Sequence, residues 1–190
     1  MKHLILFLCL IFMLGCKTES SQIQQLAQAT IDSKIQNPAF PMNSFEGPVY
    51  KSQPYEIELD LKKLENNAFD LVINMKLNNG SYYVSPNSKR DFKGIFTLKL
   101  ENNEMLEQIS KLMETPLSVE EFDPHPVVNG NVNWLKLITT YKQQYTIKSN
   151  KEFEVFGLIQ FTIEPRCTLE KIPFVLTYKN GKMNVQLDNC

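Results

Sequence analysis

One Trp and two His stand among 190 residues, beside four Cys and seven Gly. These scarcities remove most catalytic readings. His3 lies at the extreme N-terminus, so a Ser/His/Asp or Cys/His arrangement would have to use His125, within Asp123-Pro124-His125-Pro126. Two flanking prolines fix the backbone there, which suits a rigid loop as well as a general base. A zinc site needs three or four Cys, His or carboxylate ligands, and neither Cys-x-x-Cys nor a paired-His spacing occurs. Glu120-Glu121 with Asp123 reads as a solvated loop rather than an acid–base pair. No glycine-rich loop could cradle a phosphate. No cofactor follows from this inventory, and it favours a non-enzymatic role.

Charge of one sign is also lacking. The chain has 20 basic and 21 acidic residues. Nucleic acid and anionic membrane surfaces call for clustered Lys and Arg, so neither is expected as an electrostatic partner. With 43% hydrophobic and 11% aromatic residues, the chain nevertheless has ample side chain for a buried core of one domain.

The first residues carry the most specific signal. Lys2 and His3 precede an apolar run from Leu4 to Leu14, and Gly15 precedes Cys16. The run is shorter than the ~20 residues of a bilayer-spanning helix. It has the layout of a cleaved export signal. Phe12-Met13-Leu14-Gly15-Cys16 resembles a lipobox, with Leu14 larger than that pattern prefers. The resemblance implies a signal peptide over 1–15 and a lipidated Cys16 as the first mature residue. Two or three acyl chains suffice for stable anchoring. The chain is therefore expected to be an exported bacterial lipoprotein, tethered in the cell envelope at the outer membrane.

Residues 16–48 read as a polar tether, Gln-rich and interrupted by Pro38, Pro41 and Pro48, with a short helix possible over 22–35. From 49 onward the periodicity changes to two. Phe69, Leu71, Ile73, Met75 and Leu77 alternate with Asp70, Val72, Asn74 and Lys76, which predicts one buried and one largely wet face. Asn78-Asn79-Gly80 ends that run with residues tolerant of positive φ. Comparable runs at 55–61, 81–84, 95–100, 132–141, 144–148, 153–163, 172–178 and 183–187 bring the expectation to about nine strands. Asn180-Gly181 predicts a two-residue hairpin of type I′. Met105, Ile109, Leu112 and Met113 share a helical face, and Thr115-Pro116 would stop that helix. Short alternating strands without an α/β rhythm indicate an antiparallel β-sandwich over 49–190 with one short helix, a β-barrel being the alternative.

Once Cys9 is removed and Cys16 acylated, Cys167 and Cys190 remain as thiols in a compartment that permits disulfides. The Asn180-Gly181 turn places Cys190 opposite Lys171, four residues from Cys167. That offset is about 13 Å, beyond the ~7 Å limit for a bridge unless the intervening loop folds back. A bridge therefore stays open. Arg166 would lower the pKa of the neighbouring Cys167 thiol and make it reactive.

Phe156-Gly157-Leu158-Ile159-Gln160-Phe161, Cys167 and Pro173 together resemble the N-terminal domain of the thiol:disulfide interchange protein DsbD, an immunoglobulin-like sandwich. Gly80-Ser81-Tyr82-Tyr83-Val84 resembles that family's glycine–aromatic segment. The resemblance implies that Cys167 matches the first of two redox cysteines, while Pro173 occupies the second position. Dithiol–disulfide cycling at that site is then lost. Two roles follow. One is a lipid-tethered binding or assembly module that offers loops such as 120–131 to an envelope protein, with Tyr82, Tyr83, His125 and Trp134 as candidate contacts. The other is a thiol-redox partner of a thioredoxin-like protein, working through Cys167 and Cys190.

Overall fold

In the segments richest in β-branched and aromatic residues, burial alternates residue by residue. Along Phe153–Ile163 every odd-numbered side chain from Phe153 to Ile163 is buried, and every even-numbered one is exposed or half-buried. A strand with such a pattern is stable only against a second apolar surface. The computed structural model describes residues 47–188. The expected signal peptide, Cys16, nearly all of the tether and Cys190 lie outside the described residues.

Fourteen strands follow in chain order: β1 (Val49–Ser52), β2 (Tyr55–Lys63), β3 (Ala68–Leu77), β4 (Tyr83–Val84), β5 (Thr97–Leu100), β6 (Leu106–Gln108), β7 (Met113–Thr115), β8 (Glu121–Asp123), β9 (Gly130–Val132), β10 (Trp134–Leu135), β11 (Thr139–Ile147), β12 (Phe153–Ile163), β13 (Thr168–Lys179) and β14 (Lys182–Leu187). One sheet runs β1-β2-β3-β11, with β6 and β7 sharing the outer edge of β11. The other runs β14-β13-β12-β5, and two short ribbons, β10-β4 and β8-β9, complete the set. All pairings are antiparallel. The core joins Tyr55, Ile57, Leu59, Leu71, Ile73, Met75 and Tyr141 of the first sheet to Val155, Ile159, Phe161, Ile163, Phe174 and Leu176 of the second. This is a β-sandwich of immunoglobulin-like type, and no sheet closes into a barrel among the described residues.

Aromatic rings fill its centre. Phe96 stacks on Tyr141 at 4.0 Å between centroids, and Phe161 meets Tyr55 edge-on at 5.1 Å. Each such ring buries ~150–250 Å² and dominates the local packing energy. Gly157 makes room for one of them: a Cβ there would collide with the Phe174 ring, which lies across it from the paired strand.

Three expectations need correction. Among the described residues there is no helix where Met105, Ile109, Leu112 and Met113 suggested one; that segment forms β6 and β7. The exposed edge of β11 offers backbone partners, and Ile109 N–H donates to Gln144 C=O at 2.9 Å. The segment also bulges, so that Ser110 Oγ accepts the Gln144 N–H at 2.9 Å in place of a ladder carbonyl. The supposed apolar face is not buried, since Ile109 and Met113 are each about half exposed. Second, the outer face of β3 is drier than alternation suggested. Val72 is buried between the neighbouring rows of β2 and β11, and Asp70 is buried with Lys142 Nζ 3.5 Å from its carboxylate. Third, the run from 132 to 141 does not form one strand but divides among β9, β10 and β11.

The turn signals held. Asn79 and Gly80 take φ of 56° and 67° after β3. Asn180 and Gly181 take 52° and 73° between β13 and β14, with Lys179 paired to Lys182.

Candidate functional site

The connection from β7 to β11 begins at a buried carboxylate. Glu114 sits in β7, 7% exposed, and such a group must be hydrogen-bonded to be tolerated. Its Oε2 accepts the Ser85 hydroxyl at 2.6 Å, and its Oε1 accepts the Ser118 N–H at 2.8 Å. Ser85 N–H donates to the Asn133 carbonyl at 2.9 Å, and Asn133 Nδ2 donates to Ser118 at 3.3 Å. Glu114 thereby holds the segments at Ser85 and Ser118, and Asn133 joins them through its bonds to both serines.

The β8–β9 ribbon lies in the same connection. Asp123 Oδ1 accepts the His125 N–H at 2.8 Å, and Oδ2 accepts the Trp134 indole N–H at 2.9 Å. The His125 amide, more than the indole donor and the charges of His125 and Lys136, holds the Asp123 carboxyl below its usual range. His125 C=O accepts the N–H groups of Val128 and Asn129, closing the ribbon's tip. Arg90 donates to the Val128 carbonyl from the side, and Lys136 pairs with Glu121 at 2.6 Å. The Trp134 ring meets Tyr82 edge-on at 4.9 Å, 83° between planes.

On this braced framework stand large apolar side chains in water. Leu117 is 70% exposed, Val119 80%, Phe122 64%, Val127 82%, Leu137 67% and Ile138 63%. Isolated exposed apolar residues are ordinary; here six fall within one connection of the chain.

Of the residues singled out from sequence, Tyr82, His125 and Trp134 belong to this framework. Tyr83 does not. Side chains alternate along a strand, so Tyr83 faces opposite to Tyr82; it is fully buried, with its hydroxyl 2.9 Å from that of Tyr141 and its ring against Phe96 and Phe161. It is core, not a partner contact. His125 Nδ1 accepts the Val127 N–H at 3.4 Å, and no hydroxyl or thiol is hydrogen-bonded to its ring among the described residues. Glu114, Leu117, Val119, Val127, Leu137 and Ile138 escaped sequence reasoning. Their signal was faint: Leu117, Val119 and Val127 stand near Pro116, Pro124 and Pro126 outside any strand-length alternation, and Leu137 and Ile138 fall in the run 132–141 that reads as a strand.

Cys167 is exposed in the β12–β13 turn, at φ 56°. Its thiol lies 3.5 Å from Glu164 Oε1, and that hydrogen bond, with the carboxylate's charge, pushes the thiol above its ordinary range. Arg166, expected to favour the thiolate, is engaged elsewhere: it donates to the Gln53 carbonyl at 2.7 Å and to Glu170. Pro173 lies exposed in β13 opposite Leu158. Among the described residues no group of three His, Cys, Asp or Glu side chains could hold a metal ion. A cleft of about 330 Å³ lies beside β5 and β6, lined by Leu98, Leu100, Asn103, Leu106, Gln108 and Tyr145.

The described residues form a small antiparallel sandwich with six large exposed apolar side chains in its β7–β11 connection. No protein-family model matches the chain, and no curated relative matches it. Among solved structures it is similar to the GAE domain of GGA2p from Saccharomyces cerevisiae, at 12% identity over 70% of this chain and 97% of that chain, TM-score 0.39. The yeast GGA1 GAE domain is similar at 10% identity, over 69% of this chain and 97% of that one, TM-score 0.38. The Neisseria meningitidis DsbD N-terminal domain in the reduced form is similar at 9% identity, over 70% and 87%, TM-score 0.39. These likenesses extend to the course of the chain and no further.

Proposed function

We propose that this chain is a lipid-anchored binding or assembly module of the bacterial cell envelope, which holds the apolar surface of its β7–β11 connection out to another envelope protein. The observation that carries the reading is the set of six large apolar side chains, from Leu117 to Ile138, each 63–82% exposed on a connection braced by Glu114 and Asp123. A preorganised apolar surface loses little conformational entropy on binding, and its displaced water supplies the driving force. Acylation of Cys16 would place the module at the membrane, and a tether over 16–48 would set its reach. Thiol exchange is not part of this reading, because Glu164 disfavours the Cys167 thiolate.

A photo-crosslinking side chain installed at Val127 of the full-length protein, in cells, tests the reading. A discrete adduct with another envelope protein is expected, and Phe122→Ser should diminish it. A folded, membrane-fractionated protein that yields no adduct from position 127 or from position 137 would overturn it.

A further inference from the structure

β14 closes one side of the second sheet and, among the described residues, is paired only with β13. Its register fixes which backbone groups are used. Lys179 pairs with Lys182 across the two-residue turn, and Asp188 N–H donates to the Pro173 carbonyl at 3.0 Å. In an antiparallel ladder, alternate residues turn both N–H and C=O toward the same neighbour. The even-numbered residues from Lys182 to Asp188 therefore face β13. Met183, Val185 and Leu187 direct their N–H and C=O groups to the open edge.

Proteins normally blunt such an edge with proline, a bulge, an inward-pointing charge or brevity. β14 has no proline, bulge or inward-pointing charge over its six residues KMNVQL, and its one charge, Lys182, stands at the turn end. The other edges are shorter: β1 and β5 have four residues each, and the edge of β11 is covered by β6 and β7, three residues each with a bulge between them.

We propose that β14 is a self-complementary docking edge, and that its occupant is β14 of a second copy of this chain, related by a two-fold axis through Val185. In that antiparallel register Met183 faces Leu187, and Val185 faces Val185, so every open N–H and C=O on these three residues meets a partner. Met183, Val185 and Leu187 are the half-buried, core-facing side of the strand, and apolar side chain would meet apolar side chain there. On the outer side, Asn184 faces Gln186 and Lys182 faces Asp188. The two-fold repeats that charge pair, and it sits at positions without ladder hydrogen bonds, where opposing side chains are closest. Asp188 already has an interaction of its own, so Lys182 of the second copy would add to it rather than fill a vacancy. Moving the axis by one residue in either direction separates both pairs. The result is an isologous dimer with a continuous eight-stranded sheet.

Sedimentation equilibrium of the full-length protein in detergent tests this, with Lys182→Asp, Asp188→Lys and the double exchange compared against the parent chain. The parent is expected to dimerise, each single reversal to weaken the dimer about ten-fold by placing like charges opposite one another twice, and the double exchange to restore it. Val185→Pro removes an edge-facing donor without touching the β13 ladder, and should leave a folded monomer by circular dichroism. A parent chain that stays monomeric overturns the proposal. So does a dimer indifferent to the reversals, or a double exchange no better than the single ones.

Discussion

Gly157 and Cys167 show how far a single residue's role depends on what lies across the strand. Gly157 sits mid-strand, where glycine weakens a sheet, yet the Phe174 ring occupies the space a side chain would need. Gly157→Ala is expected to destabilise the fold by about 1–3 kcal/mol through overpacking, read as a lower urea midpoint with an unchanged slope. Cys167 carries the opposite lesson, since the nearest cation along the chain does not govern it. Glu164→Gln removes the carboxylate that disfavours the thiolate, so the folded-state pKa of Cys167 should fall. The midpoint of its iodoacetamide pH–rate profile should then move to lower pH, while Arg166→Ala leaves it close to the parent value. Sequence alone pointed to Arg166 because adjacency is visible there, whereas the direction of a guanidinium is not. Tyr82 and Tyr83 were equivalent for the same reason: strand phase decides which of two neighbours is buried, and β4 is too short to reveal its phase.

At the scale of elements, legibility followed length. β2, β3, β12, β13 and β14 have enough alternating residues to declare themselves, and Asn180-Gly181 located the hairpin and its register. β1, β6, β7 and β8 have three or four residues each and draw their stability from a neighbour's edge, which no local pattern encodes. The apolar spacing at Met105, Ile109, Leu112 and Met113 mimicked a helix for that reason. The loop framework was equally hidden, because its organising residue is a buried Glu flanked by strand residues. Glu114→Ala leaves the Ser85 hydroxyl and the Ser118 N–H without their acceptor. A loss of about 2–3 kcal/mol is expected by thermal denaturation, with faster amide exchange concentrated between Leu117 and Ile138. Faster exchange spread evenly over both sheets would count against a local role for the carboxylate.

For the whole molecule, the sandwich class was legible because many short strands with turn residues between them have few other ways to bury one face. The exposure of Leu117, Val119 and their neighbours was not, because exposure belongs to the folded state and not to residue type. Placement in the cell rests on the lipobox resemblance. Cys16→Ser should abolish metabolic labelling with palmitate and move the chain from the membrane to the soluble fraction. Retention of label in that variant would assign the acyl chains to another residue.

The one tryptophan of this chain stands inside the loop framework, its indole N–H on Asp123 and its ring edge-on to Tyr82. Intrinsic fluorescence excited near the red edge of protein absorption therefore comes from the very part of the fold that carries the exposed apolar residues. The molecule has a built-in optical gauge, and anything settling on those loops can be titrated by emission colour and intensity without attaching a dye.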